Sequence, residues 1–213
     1  MQEFQASSLQ VKTDYKAILG FALPIAMAIL VPQINFIINN IFLGSLGEKQ
    51  LALGGLTGIF YLIFAVLGQG INAGLQSLIA RSAGENNTQS IASLYQTAVR
   101  MVLIFSLLCI LFVWFFAPSI LQWAMHDKAN AQIAADFLRI RIMGLPFLYL
   151  FLMRNSLLVG VNQSRYLVIG TASEAVVNVF FDYALIYGKF GLPALGFNGA
   201  AVASIIAEFT AQA

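Results

Sequence analysis

Six apolar stretches decide what this chain can become, because each approaches the ~20 residues a helix needs to cross hydrocarbon. They cover residues 18–43, 51–79, 92–116, 140–159 and 166–187, and a sixth opens near Leu195. Backbone N–H and C=O groups inside a bilayer must find partners within their own segment, so such stretches become helices. The links between them, residues 44–50, 81–90, 117–139, 160–165 and 188–194, are short. Short links make sequential helices antiparallel neighbours and leave no room for a soluble domain. The expectation is an all-α integral membrane protein, folded as a six-helix transmembrane bundle. Composition agrees: 9% of residues are charged, against roughly 25% in soluble domains.

Residues 1–17 are mixed polar and carry Lys12 and Lys16. They read as a cytoplasmic N-terminal segment, with residues 18–213 holding the six spans. The first apolar stretch is too long for the core of a signal peptide and has no small-x-small cleavage site, so it is expected to stay as a span. Lys and Arg otherwise divide almost evenly between the two faces, so only the two leading lysines favour an internal N-terminus. Roughly 18 residues follow Leu195, with Glu208 and Gln212 among them, which is marginal at ~1.5 Å per residue. The last helix therefore reads as cut short, and the chain as part of something longer.

Several function classes drop out. The net charge is +2 and no basic run exists, so nucleic acid is not an expected partner. The single cysteine, Cys109, sits in an apolar helix, and the single histidine, His126, in a polar loop. Neither supplies the convergent ligands of a metal cluster. No Gly-x-Ser-x-Gly, nucleophile–base set or phosphate-cradling loop is present, which argues against an enzyme.

What remains is a set of polar residues inside apolar helices. Glu174, Asn178 and Asp182 recur every four residues and share one helix face. A carboxylate facing lipid costs about 2.5–3.5 kcal/mol even on lenient scales, so that face should look into a protein interior. The first span holds Pro24 and Pro32, and also Gln33, Asn35, Asn39 and Asn40. Each proline removes a backbone donor, and the freed carbonyls must face protein or water. The second span carries Gln69, Asn72 and Gln76 within two turns, and these can face the same interior as Asn39. Its Gly54 and Gly58 set a small-x-x-x-small spacing that lets helix backbones approach. The plainer account of all the amides is interhelical hydrogen bonding, and that of Arg139, Arg141 and Arg154 is snorkelling to the headgroups.

The ordered motifs resemble those of MATE (multidrug and toxic compound extrusion) transporters. Residues 38–47, I-N-N-I-F-L-G-S-L-G, resemble the family's V-D-x-x-x-V-G-x-L-G, and residues 22–25, A-L-P-I, its helix-1 opening. Residues 139–146, R-I-R-I-M-G-L-P, are similar to the start of its fourth helix. Residues 178–188, N-V-F-F-D-Y-A-L-I-Y-G, resemble its fifth-helix N-x-x-x-D-Y-x-L-I-x-G. Residues 196–201, G-F-N-G-A-A, are similar to the small-residue opening of its sixth.

The resemblance implies one lobe of a twelve-helix secondary transporter, an antiporter that exports organic cations or drugs from the cell in exchange for protons or sodium. It implies a multi-pass protein of the plasma or inner membrane, partnered by lipid, a small amphipathic substrate and a second lobe outside this chain. Where the family usually has an aspartate, this chain has Asn39, so a two-aspartate relay is ruled out. Cation coupling is expected at Asp182, with Asn178, Glu174 and Asn39 around it. Asp182, Asn178 and Asn39 offer oxygen ligands that also suit sodium. Gln33, Asn40, Gln69, Asn72, Gln76 and Tyr183 form the expected wall of the substrate cavity. Low dielectric disfavours a charged carboxylate, so a proton and a cationic substrate can compete for one acid. The rival readings are a lipid-linked-sugar flippase of the wider superfamily and a non-transporting, channel-like or structural bundle.

Overall fold

The computed structural model describes residues 15–212, and over that range helices are joined by short links, with no strand among the described residues. Seven helices follow in order: α1 (Tyr15–Ser45), α2 (Glu48–Gly84), α3 (Thr88–Ala124), α4 (Lys128–Arg141), α5 (Leu145–Gly160), α6 (Leu167–Tyr187) and α7 (Phe197–Gln212). Among the described residues five stretches are long and apolar enough to cross a membrane: Ile18–Ser45, Glu48–Gly84, Thr88–Ala124, Lys128–Gly160 and Ser164–Tyr187. α7, at 16 residues, spans about 24 Å at 1.5 Å per residue. Most of the polar segment 1–17 lies outside the described residues.

The expected link over residues 117–139 is largely helix. α3 continues through Pro118 to Ala124, and α4 begins at Lys128. The sequence looked like a loop because α4 is polar on one side, with Gln132 and Asp136 exposed. Its other side buries Ala131, Ala134, Ala135 and Leu138 completely. Asp127 caps α4, its side chain accepting from the N–H of Ala129 at 2.8 Å, and satisfies a donor that the helix start leaves free. α4 and α5 together make one span, interrupted by a 3₁₀ turn at Ile142–Gly144. Pro146 explains the break: it lacks the N–H that would reach Ile142 in an α-helix, and its ring crowds that carbonyl. α1, by contrast, runs unbroken through Pro24 and Pro32.

The core lies where α2, α3 and α5 meet. Tyr149 of α5 is fully buried, stacks on Phe105 and donates its hydroxyl hydrogen to the Phe64 carbonyl of α2 at 2.7 Å. Ser156 of the same helix donates to the Asn72 carbonyl at 2.9 Å. α6 and α7 form the most extensive helix pair, and α7 also packs on α4 and α5. Their closeness comes from small residues: Gly199, Ala200, Ala203 and Ala207 of α7 are all buried. The long aliphatic side chains of α1, among them Leu19, Leu23, Ile29, Ile34 and Ile41, point outward. In hydrocarbon such exposure has no hydrophobic penalty.

Candidate functional site

The polar face of α6 turns inward. Asn178 and Asp182 are buried, the latter completely, and Glu174 is half-buried. Asn178 links three helices. Its Oδ1 accepts from Asn39 Nδ2 of α1 at 3.1 Å, and its Nδ2 reaches Ser204 Oγ of α7 at 3.5 Å. Asp182 lies one turn further on, and neither of its carboxyl oxygens accepts a hydrogen bond among the described residues. Asn39 Oδ1 is likewise buried without a donor.

A cavity of about 280 Å³ opens between α1, α2, α4 and α7. Its polar wall comprises Asn39, Asn40, Thr57, Tyr61, Arg141 and Ser204, and the rest is apolar, including Phe36 and Phe137. Asn39 therefore belongs both to the α6 junction and to the cavity. Asn40 turns its amide back to the Phe36 carbonyl at 2.8 Å. The wall includes none of Gln33, Gln69, Asn72, Gln76 or Tyr183. Gln33 and Gln69 are exposed and Gln76 is half-buried. Asn72 is engaged by Ser156 of α5 through both its carbonyl and its side chain. Tyr183 is largely exposed and packs edge-on against Tyr187. Of the glycine pair, Gly54 seats Leu43 of α1 and Phe197 of α7 where a Cβ would stand. Gly58 borders the cavity.

A second polar cluster lies beside the first, and sequence reasoning did not assemble it. Arg141, the last residue of α4, turns inward instead of snorkelling. It pairs with Glu208 of α7 through both guanidinium nitrogens, at 3.0 and 2.5 Å. The side chains are 16% and 5% exposed, so the pair is shielded from solvent. Arg141 also lies over the Tyr61 ring at 3.9 Å, and Tyr61 donates its hydroxyl hydrogen to Glu208 at 3.3 Å. Gly144 leaves room for the pair, since a Cβ there would run into the Glu208 carboxylate and the Arg141 guanidinium. The available signal was Glu208 itself, a lone acid in an apolar helix that must find a partner. Arg139 stays nearer the surface, donating to the Trp114 carbonyl at 3.0 Å. Arg154 donates to the carbonyls of Ala211 and Gln212 at the far end of α7.

This architecture and its order of motifs match known proteins. A sequence model of the family described as MatE matches residues 24–184. The chain belongs to the MatE family. A probable multidrug resistance protein NorM from Synechocystis is 26% identical over 199 residues, covering 93% of this chain and 43% of the relative. One from Thermotoga maritima is 27% identical over 195 residues, covering 91% and 42%. A multidrug resistance MATE family transporter of the MOP superfamily, solved in an outward-facing conformation, superposes with a TM-score of 0.85 at 19% identity. It covers 92% of this chain and 43% of its own. A MOP superfamily transporter from Pyrococcus furiosus gives the same TM-score, identity and coverage. This MatE chain thus spans less than half the length of the relatives it matches. Its family is one of multi-pass membrane transporters rather than enzymes.

Proposed function

We propose that this chain forms the first lobe of an ion-coupled multidrug exporter of the cytoplasmic membrane, with its N-terminus inside. The lobe faces a second one across a central cavity and exchanges organic cations for protons or sodium. Asp182 is the coupling acid, and Asn178, one turn before it, and Asn39 are the amides that tie its helix to α1 and to the cavity wall. Glu174, one turn before Asn178, adds a further carboxyl on the same face.

One observation carries this reading: Asp182 is completely buried and no protein donor serves its oxygens among the described residues. A carboxylate in that condition carries a desolvation penalty of several kcal/mol, which a proton or a cation removes. Binding a cation then favours loss of the proton, and binding a proton favours loss of the cation. That reciprocity is the thermodynamic content of antiport. Interhelical glue needs a partner, and Asp182 lacks the hydrogen bonds that Asn178 makes. A flippase for phosphate-bearing lipids calls for several free cations in its cavity. Among the described residues Arg141 is the only cationic one on this wall, and it is already paired with Glu208.

The test is Asp182→Asn in the full-length protein, reconstituted in vesicles with an imposed proton or sodium gradient. Gradient-driven efflux of a cationic dye is expected to disappear while the amount of folded protein stays the same. Efflux at the wild-type rate under either gradient would refute the assignment. The gradient that drives wild-type efflux identifies the coupling ion.

A further inference from the structure

Three acids and one arginine lie around α7, which packs on both α4 and α6: Glu174, Asp182, Glu208 and Arg141. Their levels follow from the antiparallel α6–α7 packing. Asn178 meets Ser204, and the Gly199 position abuts the Leu185 backbone. Stepping one helical turn from the Asn178–Ser204 contact brings Glu174 level with Glu208. Two glutamates therefore stand on facing turns, level with a single guanidinium that Glu208 binds. Only Glu208 holds it, with Tyr61 of α2 completing the set. Asp182 lies two turns from Glu174, at roughly 12 Å along the axis for a rise of 1.5 Å per residue.

A buried arginine stays charged and needs an acceptor, while a carboxyl can neutralise itself by taking a proton. When a cation or proton loads Glu208, its claim on Arg141 ends, and Glu174 is the acceptor on the opposite helix. We propose that Arg141 is a tethered cation shared by Glu208 and Glu174, and that its transfer from the first to the second carries the loading of Glu208 to the cavity wall. Net charge is conserved in the exchange: Glu174 starts as the neutral acid, a proton from water arrives on Glu208, and the Glu174 carboxyl releases its own proton to water as the guanidinium reaches it. Arg141 and Tyr61 line the cavity, whereas neither glutamate does. Moving the guanidinium off Tyr61 toward α6 changes the polarity of that wall without any substrate contact by the acids. Arg141 is in this sense a positioning residue. Its link to transport rests on the lobe being an ion-coupled exporter, but the exchange itself does not.

The test uses a hydrophobic carbodiimide, which modifies protonated carboxyls in apolar surroundings. The full-length protein is labelled in membranes and read by mass spectrometry on two tryptic peptides, the one covering residues 166–189 and the one that follows Lys189 and carries Glu208. The first peptide holds both Glu174 and Asp182, so Asp182 serves as the internal reference. Wild type is expected to label at Glu174 and to spare Glu208. Glu208→Gln should stay folded and lose Glu174 labelling by about tenfold or more, since Arg141 now holds Glu174 as a carboxylate. Arg141→Gln should expose both glutamates to label, and the double variant R141Q/E208Q should restore labelling at Glu174. A static ion pair predicts unchanged Glu174 labelling in Glu208→Gln, and that result would overturn the proposal. So would a Glu208→Gln protein that fails to fold while R141Q/E208Q folds, because the arginine would then have had no second acceptor. Failure of efflux in Asp182→Asn is read separately and does not bear on this pattern.

Discussion

Gly199→Ala sets a methyl group against the backbone of α6 at the tightest point of the α6–α7 pair. The added Cβ would stand 2.8 Å from the carbonyl carbon and oxygen of Leu185 and 3.0 Å from the nitrogen of Ile186. Ordinary contact begins at 3.4 Å, so the helices must part locally by about 0.6 Å, because a backbone cannot rotate aside as a side chain can. Overpacking of this kind costs about 1–3 kcal/mol. The gain in helix propensity over glycine is at most about 1 kcal/mol. Even against that full gain the net loss reaches about 2 kcal/mol, which lowers the folded-to-unfolded ratio by up to roughly 30-fold. The same parting removes the Asn178–Ser204 contact, already at 3.5 Å. Cys109, 6% exposed in α3, provides the assay: its thiol reacts with a fluorogenic maleimide only as the bundle opens on heating. Gly199→Ala is expected to melt clearly below wild type. Gly74→Ala, where nothing lies within 4 Å of the added carbon, should melt at or above it. Coincident melting of Gly199→Ala and wild type would show that Gly199 does not set the spacing of these helices.

Two further substitutions separate scaffold from site. Tyr149→Phe leaves the buried ring in place and removes the 2.7 Å bond to the Phe64 carbonyl. It should cost about 1–2 kcal/mol in thermal or denaturant unfolding and leave the rate of efflux per folded molecule unchanged. Asn39→Leu keeps the branching of the side chain but cuts the bridge from α1 to Asn178. Gradient-driven efflux should fall at least about tenfold, the equivalent of losing one buried hydrogen bond of ~1.4 kcal/mol, with normal yield of folded protein. Efflux at the wild-type rate would remove Asn39 from the coupling path.

The amides show why the fold was more legible than the site. Helical periodicity placed Glu174, Asn178 and Asp182 on one face, and the structure turns that face inward. The same reasoning grouped Gln69, Asn72 and Gln76 with Asn39, yet Asn72 is engaged by Ser156 of α5 and Gln69 is exposed. Periodicity fixes which residues share a face but carries no information about what that face meets. Residues 117–139 looked like a loop for a related reason. A helix that buries a narrow stripe of alanines leaves a polar average, and window hydropathy sees only the average.

From the sequence alone came the membrane, the helices and the presence of acids too costly to leave in lipid, because these depend on local chemistry and on the ~30 Å of hydrocarbon a helix must cross. The packing of α7 against both α4 and α6 was decided only in three dimensions. That packing pairs Glu208 with Arg141, 67 residues apart in the chain, brings Ser204 to Asn178, and leaves Asp182 without a donor among the described residues. Such partnerships arise from the register in which small residues let two helices close, and register is a property of the assembled bundle rather than of any one segment.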